Sequence, residues 1–462
     1  MNTAAIILAA GEGKRMKSKY PKVLHKICGK PMIHYVINCV RETGVSKLFV
    51  VVGHKSEDVM ENIDESVQFV NQEQQLGTGH AVMQAREALR DFDGSVLILC
   101  GDTPLITSDT IETIIKAQKE RDLACVVLTT EIDDPTGYGR VIRDTNGNIE
   151  RIVEEKDAVP AEKEITEINS GIYVFDSRLL FESLDKLSCN NVQGEYYLTD
   201  VIEILRVSGH TVGAVKAADP KELMGVNNKK ELAEANRIMR SKILDKMMLE
   251  GVTIIDPDKT YLDKDVVIGK DTIIYPGCFI EEGSIIGEDC IIGPNTKITN
   301  SKIGNRVVVE YSVVRESTIE DGAVVGPFAN IRAGCIIGKG VKIGDFVEVK
   351  NSKIGHGAKL PHLSYIGDAE IGNKVNLGAG VIIVNYDGFK KHLTKIGDNS
   401  FIGCNSNLVS PIEIGNDAYI AAGSTITSDV PEKALSIARS KQVNKLDWVT
   451  RFRQKKQSGG GE

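Results

Sequence analysis

The stretch IGKDTIIYPGCFIEEGSIIGEDCIIGPNTKI, residues 268–298, decides the fold of the second half of the chain. Ile268, Ile274, Ile280, Ile286, Ile292 and Ile298 recur every six residues, and a small residue stands four positions after each of the first five: Thr272, Cys278, Ser284, Cys290 and Thr296. Hexapeptide repeats of this kind predict a β-helix. Each hexad makes one short strand and one tight corner. The aliphatic side chain stacks inward on its counterpart in the next coil, the small residue fits the crowded corner, and Gly supplies turn conformations. On this reading Cys278, Cys290 and Cys335 are packing residues. The phase returns at Ile331, Ile337, Ile343 and Val349, and again at Ile396, Ile402, Leu408, Ile414, Ile420 and Ile426. Two segments break it, roughly 299–330 and Val384 to Lys395, and such breaks predict loops, often on a binding face.

The first half follows a different pattern. Apolar runs at Ala5–Leu8, Leu48–Val52, Val96–Leu99 and Cys125–Leu128 alternate with helix-length segments Met32–Glu42, Ala81–Leu89 and Asp109–Glu120. Alternating βα units with apolar strands predict a Rossmann-like α/β domain around a mainly parallel sheet covered on both faces. Leu232, Ala235, Met239, Ile243 and Met247 place one apolar face on a connecting helix that Gly251 ends. The expected division is an α/β domain over 1–228, a helical linker over 229–250 and a hexapeptide-repeat domain over 251–462. That domain closes with a short helix and a frayed, basic, Gly-rich end.

Composition narrows the class. Hydrophobic residues make up 42% and charged residues 26% of the 462, as expected for a globular chain, and no apolar run is long enough for a spanning helix. The net charge of −8 argues against nucleic acid as a partner, so local Lys and Arg must hold any anionic substrate. Nine cysteines without a C-x-x-C pair predict reduced thiols and a cytoplasmic protein, and the N-terminus reads as a strand, not a secretory signal.

Leu8-Ala9-Ala10-Gly11-Glu12-Gly13-Lys14-Arg15 carries a strand into a Gly-rich turn, where backbone N–H groups can approach phosphates or a base edge. It is neither G-x-G-x-x-G nor a Walker A loop, and alone it is equally consistent with a structural turn. Arg15 and Lys22 add positive charge suited to a polyphosphate. A second Gly-rich turn, Leu76 to Ala81, follows Gln72. Asp102 sits at the carboxyl end of a strand, where α/β sheets bind ligands; it is a candidate Mg²⁺ ligand or simply a cap. Gly137-Tyr138-Gly139-Arg140, Glu154, Asn169 and Gly225-Val226-Asn227-Asn228 complete a polar set. In the repeat half, His362 stands where the period slips, with Tyr365 three residues on and Arg332 and Lys350 one and two coils back. An imidazole there can act as a base near neutral pH. His356, beside two glycines, is the rival.

These motifs together resemble the sugar-nucleotide pyrophosphorylases. With its hexapeptide half, nearly the full chain resembles the bacterial bifunctional N-acetylglucosamine-1-phosphate uridylyltransferase/glucosamine-1-phosphate acetyltransferase family. The resemblance implies a left-handed parallel β-helix, a homotrimer, and synthesis of UDP-N-acetylglucosamine for peptidoglycan and lipopolysaccharide-type envelope precursors, acetylation coming first. It implies that Leu8, Ala9, Ala10 and Gly11 line the uridine nucleotide site and that Gln72, Gly77 and Thr78 read the base. Arg15 and Lys22 would contact phosphates, and Asp102 and Asn227 would hold Mg²⁺. Gly139, Glu154 and Asn169 would position N-acetylglucosamine. In the second half His362 would be the base. Arg332 and Lys350 would bind the sugar phosphate, Tyr365 and Asn376 the sugar, and Ala379, Asn385, Tyr386, Cys404, Ala422 and Arg439 acetyl-CoA. Cys100 and Cys404 stand where some relatives carry Tyr and Ser. Two alternatives remain: the same pair of reactions on another sugar and nucleotide, such as glucose-1-phosphate with dTTP, and a non-catalytic scaffold like certain translation-factor subunits.

Overall fold

The computed structural model describes residues 2–63 and 66–458, so the Gly-rich end at 459–462 lies outside the described residues. The chain divides into two compact units, Met1–Ile243 and Leu244–Glu462, the division falling within the helix Lys229–Leu249.

The first unit is built on a nine-stranded sheet of β1 (Thr3–Leu8), β2 (Lys47–Val52), β3 (Gln68–Asn71), β4 (Ser95–Cys100), β5 (Cys125–Glu131), β6 (Arg140–Arg143), β7 (Ile149–Val153), β8 (Glu167–Asp176) and β9 (Val212–Lys216). The order is β9-β5-β8-β4-β1-β2-β3, with β6 pairing β8 and β7 off that path. Neighbouring strands from β4 through β1 and β2 to β3 are parallel, as are β5 and β9; β8 runs antiparallel between β4 and β5. Alternate strand residues enter two separate cores. Ala5, Ile7, Val50, Leu97 and Leu99 face one side, and Ala4, Ile6, Phe49, Val51, Val96 and Ile98 the other. A sheet buried on both faces has no polar side to show, which is why its strands read as continuous apolar runs. The segment expected as one helix over Ala81–Leu89 is instead a helix Thr78–Met83 followed by a 3₁₀ turn Glu87–Leu89.

The second unit is a left-handed parallel β-helix. Its strands fall into three parallel sheets in which hydrogen-bonded neighbours are three strands apart in sequence except at the last pair of one sheet, so each full coil contributes one strand to each face. Ile254, Ile274, Ile292, Val309, Val325, Ile343 and Leu360 stack as one buried internal column. Burying each such side chain is worth about 1.5–3 kcal/mol. The small residues at the corners do more than fit. Thr272 Oγ1 donates to Gly287 O at 2.8 Å and accepts from Cys290 N at 3.0 Å, and Ser284 Oγ donates to Glu281 O at 2.6 Å, so polar groups buried at the corners are paired. Burial raises the Cys278 thiol to about 11, which keeps it protonated and inert.

One expectation is overturned. The segment 299–330 is not a loop; its strands continue the coil, and Ile303, Val309, Val314, Ile319, Val325 and Ile331 remain buried at spacings of five or six. The period slips because some corners lose one residue, and at those corners Asn300, Tyr311 and Glu316 take left-handed φ angles of 45°, 45° and 46°. The second break is a true loop. Residues 385–393 leave the coil between the strands Ile382–Val384 and Thr394–Ile396, closed by a bridge between Tyr386 and Lys391.

Candidate functional site

In the first unit β1 and β4 end side by side, with Leu8 paired to Cys100, so the Gly-rich turn and Asp102 emerge at the same edge of the sheet. Gly13 has φ of +64°, and a Cβ there would lie 2.7 Å from Lys22 Cβ, so only glycine lets the turn close over Lys22. Lys22 Nζ donates to Asn227 Oδ1 at 2.7 Å and is ion-paired with Asp102, while Arg15 Nη2 donates to the same Asn227 oxygen at 3.0 Å. Val226 N donates to Asp102 O at 2.9 Å, which holds the two oxygen-bearing residues together. A carboxylate and an amide oxygen thus converge on one cationic point.

The residues expected to read the base are more committed to the fold. Gln72 is buried; its Nε2 donates to Gly77 O at 3.1 Å and lies 3.0 Å from His80 Nδ1. Thr78 Oγ1 accepts from Leu198 N at 3.1 Å. At Gly77, φ of +108° and a would-be Cβ contact of 2.6 Å with Tyr196 O demand glycine. Ala9 and Ala10 are buried behind the turn, whereas Gly11 faces open space. Among the residues expected to position the sugar, Asn169 N donates to Gly139 O at 2.9 Å, and Asn169 Nδ2 donates to Tyr173 Oη at 2.7 Å. Glu154 accepts from the Thr199 hydroxyl at 3.1 Å; burial raises its carboxyl above the usual range against that bond. Burial likewise pushes the Cys100 thiol up to about 12.

Nearby, burial and then Glu203 and Asp157 raise the Asp200 carboxyl from 3.8 to about 6. An acid whose folded pKa lies above its unfolded one stabilises the fold while both forms are protonated, and this contribution is lost as pH rises through the folded value. Asp200→Asn is therefore expected to raise Tm at pH 7.5, and the gain should vanish near pH 4. Thermal melts across that range check it; equal Tm values at pH 7.5 would count against it.

In the second unit the coil stacking makes a column along one edge. Leu363 N donates to Asp345 O at 2.9 Å, Gly380 N to His362 O at 3.4 Å, Asn405 N to Ala379 O at 2.8 Å and Gly423 N to Cys404 O at 2.8 Å. Asp345, His362, Ala379, Cys404 and then Ala422 therefore lie one above another. His362 Nδ1 is 2.5 Å from Asp345 Oδ1. Above His362 the residues are small and the coils pack closely, since a Cβ on Gly378 would sit 2.9 Å from Cys404 Sγ. The Arg439 stem lies near Gly423 at the far end, and Asn376 is half-buried in the row between Lys359 and Phe401.

Around the corner, Arg332 pairs with Glu348 at 2.9 Å, and Tyr365 stands beside Glu348 in register. The ammonium of Lys391, with partial desolvation and Arg332, holds the Lys350 amine below the ordinary lysine range, against the pull of Asp368. Three cations gathered this closely suit a doubly charged anion. Asp368 also accepts from Asn351 Nδ2 and Asn385 Nδ2, both at 2.6 Å, and so anchors the loop that carries Tyr386 and Lys391. Asn385 is buried by that contact, while Tyr386 is exposed and donates to Gly388 O at 2.6 Å. The rival His356 accepts from Lys339 N at 3.1 Å through Nδ1, the role of a corner residue. Sequence reasoning missed Asp345, Lys391 and Glu231, whose carboxylate accepts from Asn227 N at 2.6 Å.

The family described as Nucleotidyl transferase matches residues 4–235, that described as EIF2B subunit epsilon LbH domain matches 246–349, and that described as Bacterial transferase hexapeptide (six repeats) matches 393–428. The chain is 55% identical over 445 residues to the bifunctional protein GlmU of Acetivibrio thermocellus, covering 96% of each. It is 53% identical over 454 residues to GlmU of Geobacillus sp. (strain WCH70), covering 98% of this chain and 99% of that one.

The chain belongs to the GlmU family.

Membership makes it a bifunctional transferase: a nucleotidyltransferase unit followed by hexapeptide repeats, as in GlmU of Clostridium botulinum, to which it is 52% identical over 450 residues. The local match to a translation-factor repeat domain covers 104 residues of the coil, whereas the likeness to GlmU spans both units. The scaffold alternative is thereby set aside. Among the described residues no helix is long and apolar enough to cross a membrane.

Proposed function

We propose that the second unit transfers acetyl from acetyl-CoA to glucosamine-1-phosphate, and that the first joins the resulting N-acetylglucosamine-1-phosphate to the uridylyl group of UTP, releasing pyrophosphate. The reading is carried by one observation: each unit gathers its own set of charged and polar groups, Arg15, Lys22, Asp102 and Asn227 in one and Arg332, Lys350, Lys391 and His362 in the other.

In the uridylyl site two anions must meet. Arg15 and Lys22 offset that repulsion and draw the triphosphate to the end of β4. The donor set of Asp102 and Asn227 fits Mg²⁺: both are hard oxygens, and both are already aimed at a cation, the Lys22 ammonium. When bound, Mg²⁺ supplies charge neutralisation on the phosphates. With Mg²⁺ held by Asp102 and Asn227, the long flexible stem of Lys22 would let its ammonium serve the phosphate chain instead. Leu8, Ala9, Ala10, Gly11, Gln72, Gly77 and Thr78 form the nucleotide wall, and Gly139, Glu154 and Asn169 hold the sugar.

In the acetyl site Arg332, Lys350 and Lys391 clamp the sugar phosphate, and Tyr365 and Asn376 orient the ring. His362 takes the proton that the amine loses as its nitrogen attacks the thioester carbonyl; the C–S bond then breaks and CoA leaves, its sulfur receiving that proton as the thiol. The row of small residues Ala379, Cys404 and Ala422, with Asn385, Tyr386 and Arg439, carries the coenzyme. A homotrimer is supported by a ladder of exposed apolar residues, Tyr311, Phe328, Phe346 and Leu363, running up the edge beside His362. Such a protein serves cell-envelope synthesis in the cytoplasm.

A single incubation tests the reading. With glucosamine-1-phosphate, acetyl-CoA, UTP and Mg²⁺, CoA, pyrophosphate and sugar nucleotide are expected in equal amounts. Exchanging UTP for dTTP, or the sugar for glucose-1-phosphate, is expected to cost at least about 10-fold in turnover. Faster turnover with dTTP or glucose-1-phosphate would move the reading to the rival pair of substrates.

A further inference from the structure

We propose that Asp345 is a positioning residue for acetyl transfer: it holds the His362 ring in one tautomer and one orientation, leaving Nε2 free to receive the proton. The proposal rests on the reading of His362 as the base.

The geometry follows from coil stacking. The strand Lys342–Asp345 pairs in parallel with Lys359–His362, and Asp345 is the register partner of His362. Adjacent strands lie about 4.8 Å apart, so side chains at paired positions stand side by side. The coils close this far because residue 344 is glycine; a Cβ there would lie 1.9 Å from Pro361 O. Of the two ring nitrogens it is Nδ1 that meets the carboxylate, at 2.5 Å. An ionised carboxylate only accepts, so Nδ1 carries the hydrogen and Nε2 keeps its lone pair. The hydrogen bond from His362 holds the Asp345 carboxyl below the ordinary range, which keeps it ionised. The His362 side chain is 55% exposed, which leaves the free nitrogen open to a substrate.

The other charged groups nearby are otherwise engaged or oriented. Lys342 and Lys359 point out from the same face, Glu348 is held by Arg332, and Lys350 faces Lys391 and Asp368. Without Asp345 the ring is free to rotate and to place its hydrogen on Nε2. A fixed carboxylate partner thus raises the fraction of productive encounters without touching either substrate.

The test compares Asp345→Ala, Asp345→Asn and His362→Ala in the full chain, assaying both activities. Asp345→Ala is expected to lower kcat for acetyl transfer about 10–100-fold, the usual effect of losing an orienting partner. KM for both substrates should stay within about 2-fold, and uridylyl transfer and Tm should be unchanged. Added formate should restore part of the lost rate, because a small carboxylate can occupy the vacated space; a merely structural role would not respond to it. Asp345→Asn should recover less than formate, since its amide can donate to Nδ1 and select the wrong tautomer. Unchanged kcat in Asp345→Ala, or a fall in Tm and in both activities without formate rescue, would overturn the proposal. Acetyl transfer surviving in His362→Ala would instead sink the reading on which it rests.

Discussion

Asp102→Ala is expected to lower uridylyl transfer by about 10³-fold or more, the scale set by losing a principal electrostatic group in a charged transition state. The carboxylate is one of two oxygens aimed at the cationic point beside β4, and the adjacent acid Glu231 is already engaged by the Asn227 backbone N–H and the Asn228 amide. Asn227 alone offers a neutral oxygen, already shared between Lys22 and Arg15. The loss should fall mainly on turnover. The fold should persist, because the backbone bond from Val226 N to Asp102 O does not involve the side chain. Pyrophosphate release with saturating UTP and Mg²⁺ measures it, with acetyl transfer in the same preparation as control. Turnover near that of the parent would remove Asp102 from the metal site.

His362→Ala is expected to cost acetyl transfer about 10²–10⁴-fold, the range for removing a positioned base, and to leave uridylyl transfer as it was. The side chain is more than half exposed at the coil edge, and its backbone carbonyl still accepts from Gly380 N. No core contact is therefore given up. His356→Ala is the internal control: it should leave acetyl transfer intact, because that imidazole serves the backbone of the previous coil through Lys339 N. CoA release assayed with a thiol reagent separates the cases. Joint loss of both activities in soluble His362→Ala would contradict the independence of the two sites.

Periodicity made most of the architecture legible. Isoleucines six apart state the coil directly, and apolar runs ending at Gly53 and Gly101 state a sheet buried on both faces. The reading failed over 299–330 because it counted residues instead of corners. Asn300, Tyr311 and Glu316 each turn a corner in one residue fewer, through a backbone angle that a residue type only weakly signals. The candidate residues Arg15, Lys22, Asp102 and Asn227 were nameable from motifs, but their convergence followed only from the family resemblance, not from spacing. More than 200 positions separate Lys22 from the Asn227 side chain that it meets. Asp345 was out of reach for the same kind of reason. It lies 17 positions before His362, and that interval becomes a contact only once the length of the local coil is known. Lys391 sits in a loop with no period to place it, and Glu231 is hidden among the charges of a helix.

The edge column has one more consequence. From His362 the small residues Ala379, Cys404 and Ala422 climb three coils, a rise of about 14 Å at the strand spacing of a parallel ladder. A scaffold of this kind measures distance in whole turns. Lengthening or shortening the track for a linear cofactor means adding or deleting a complete turn, with no intermediate setting, so the reach of the reactive end is quantised by the architecture itself.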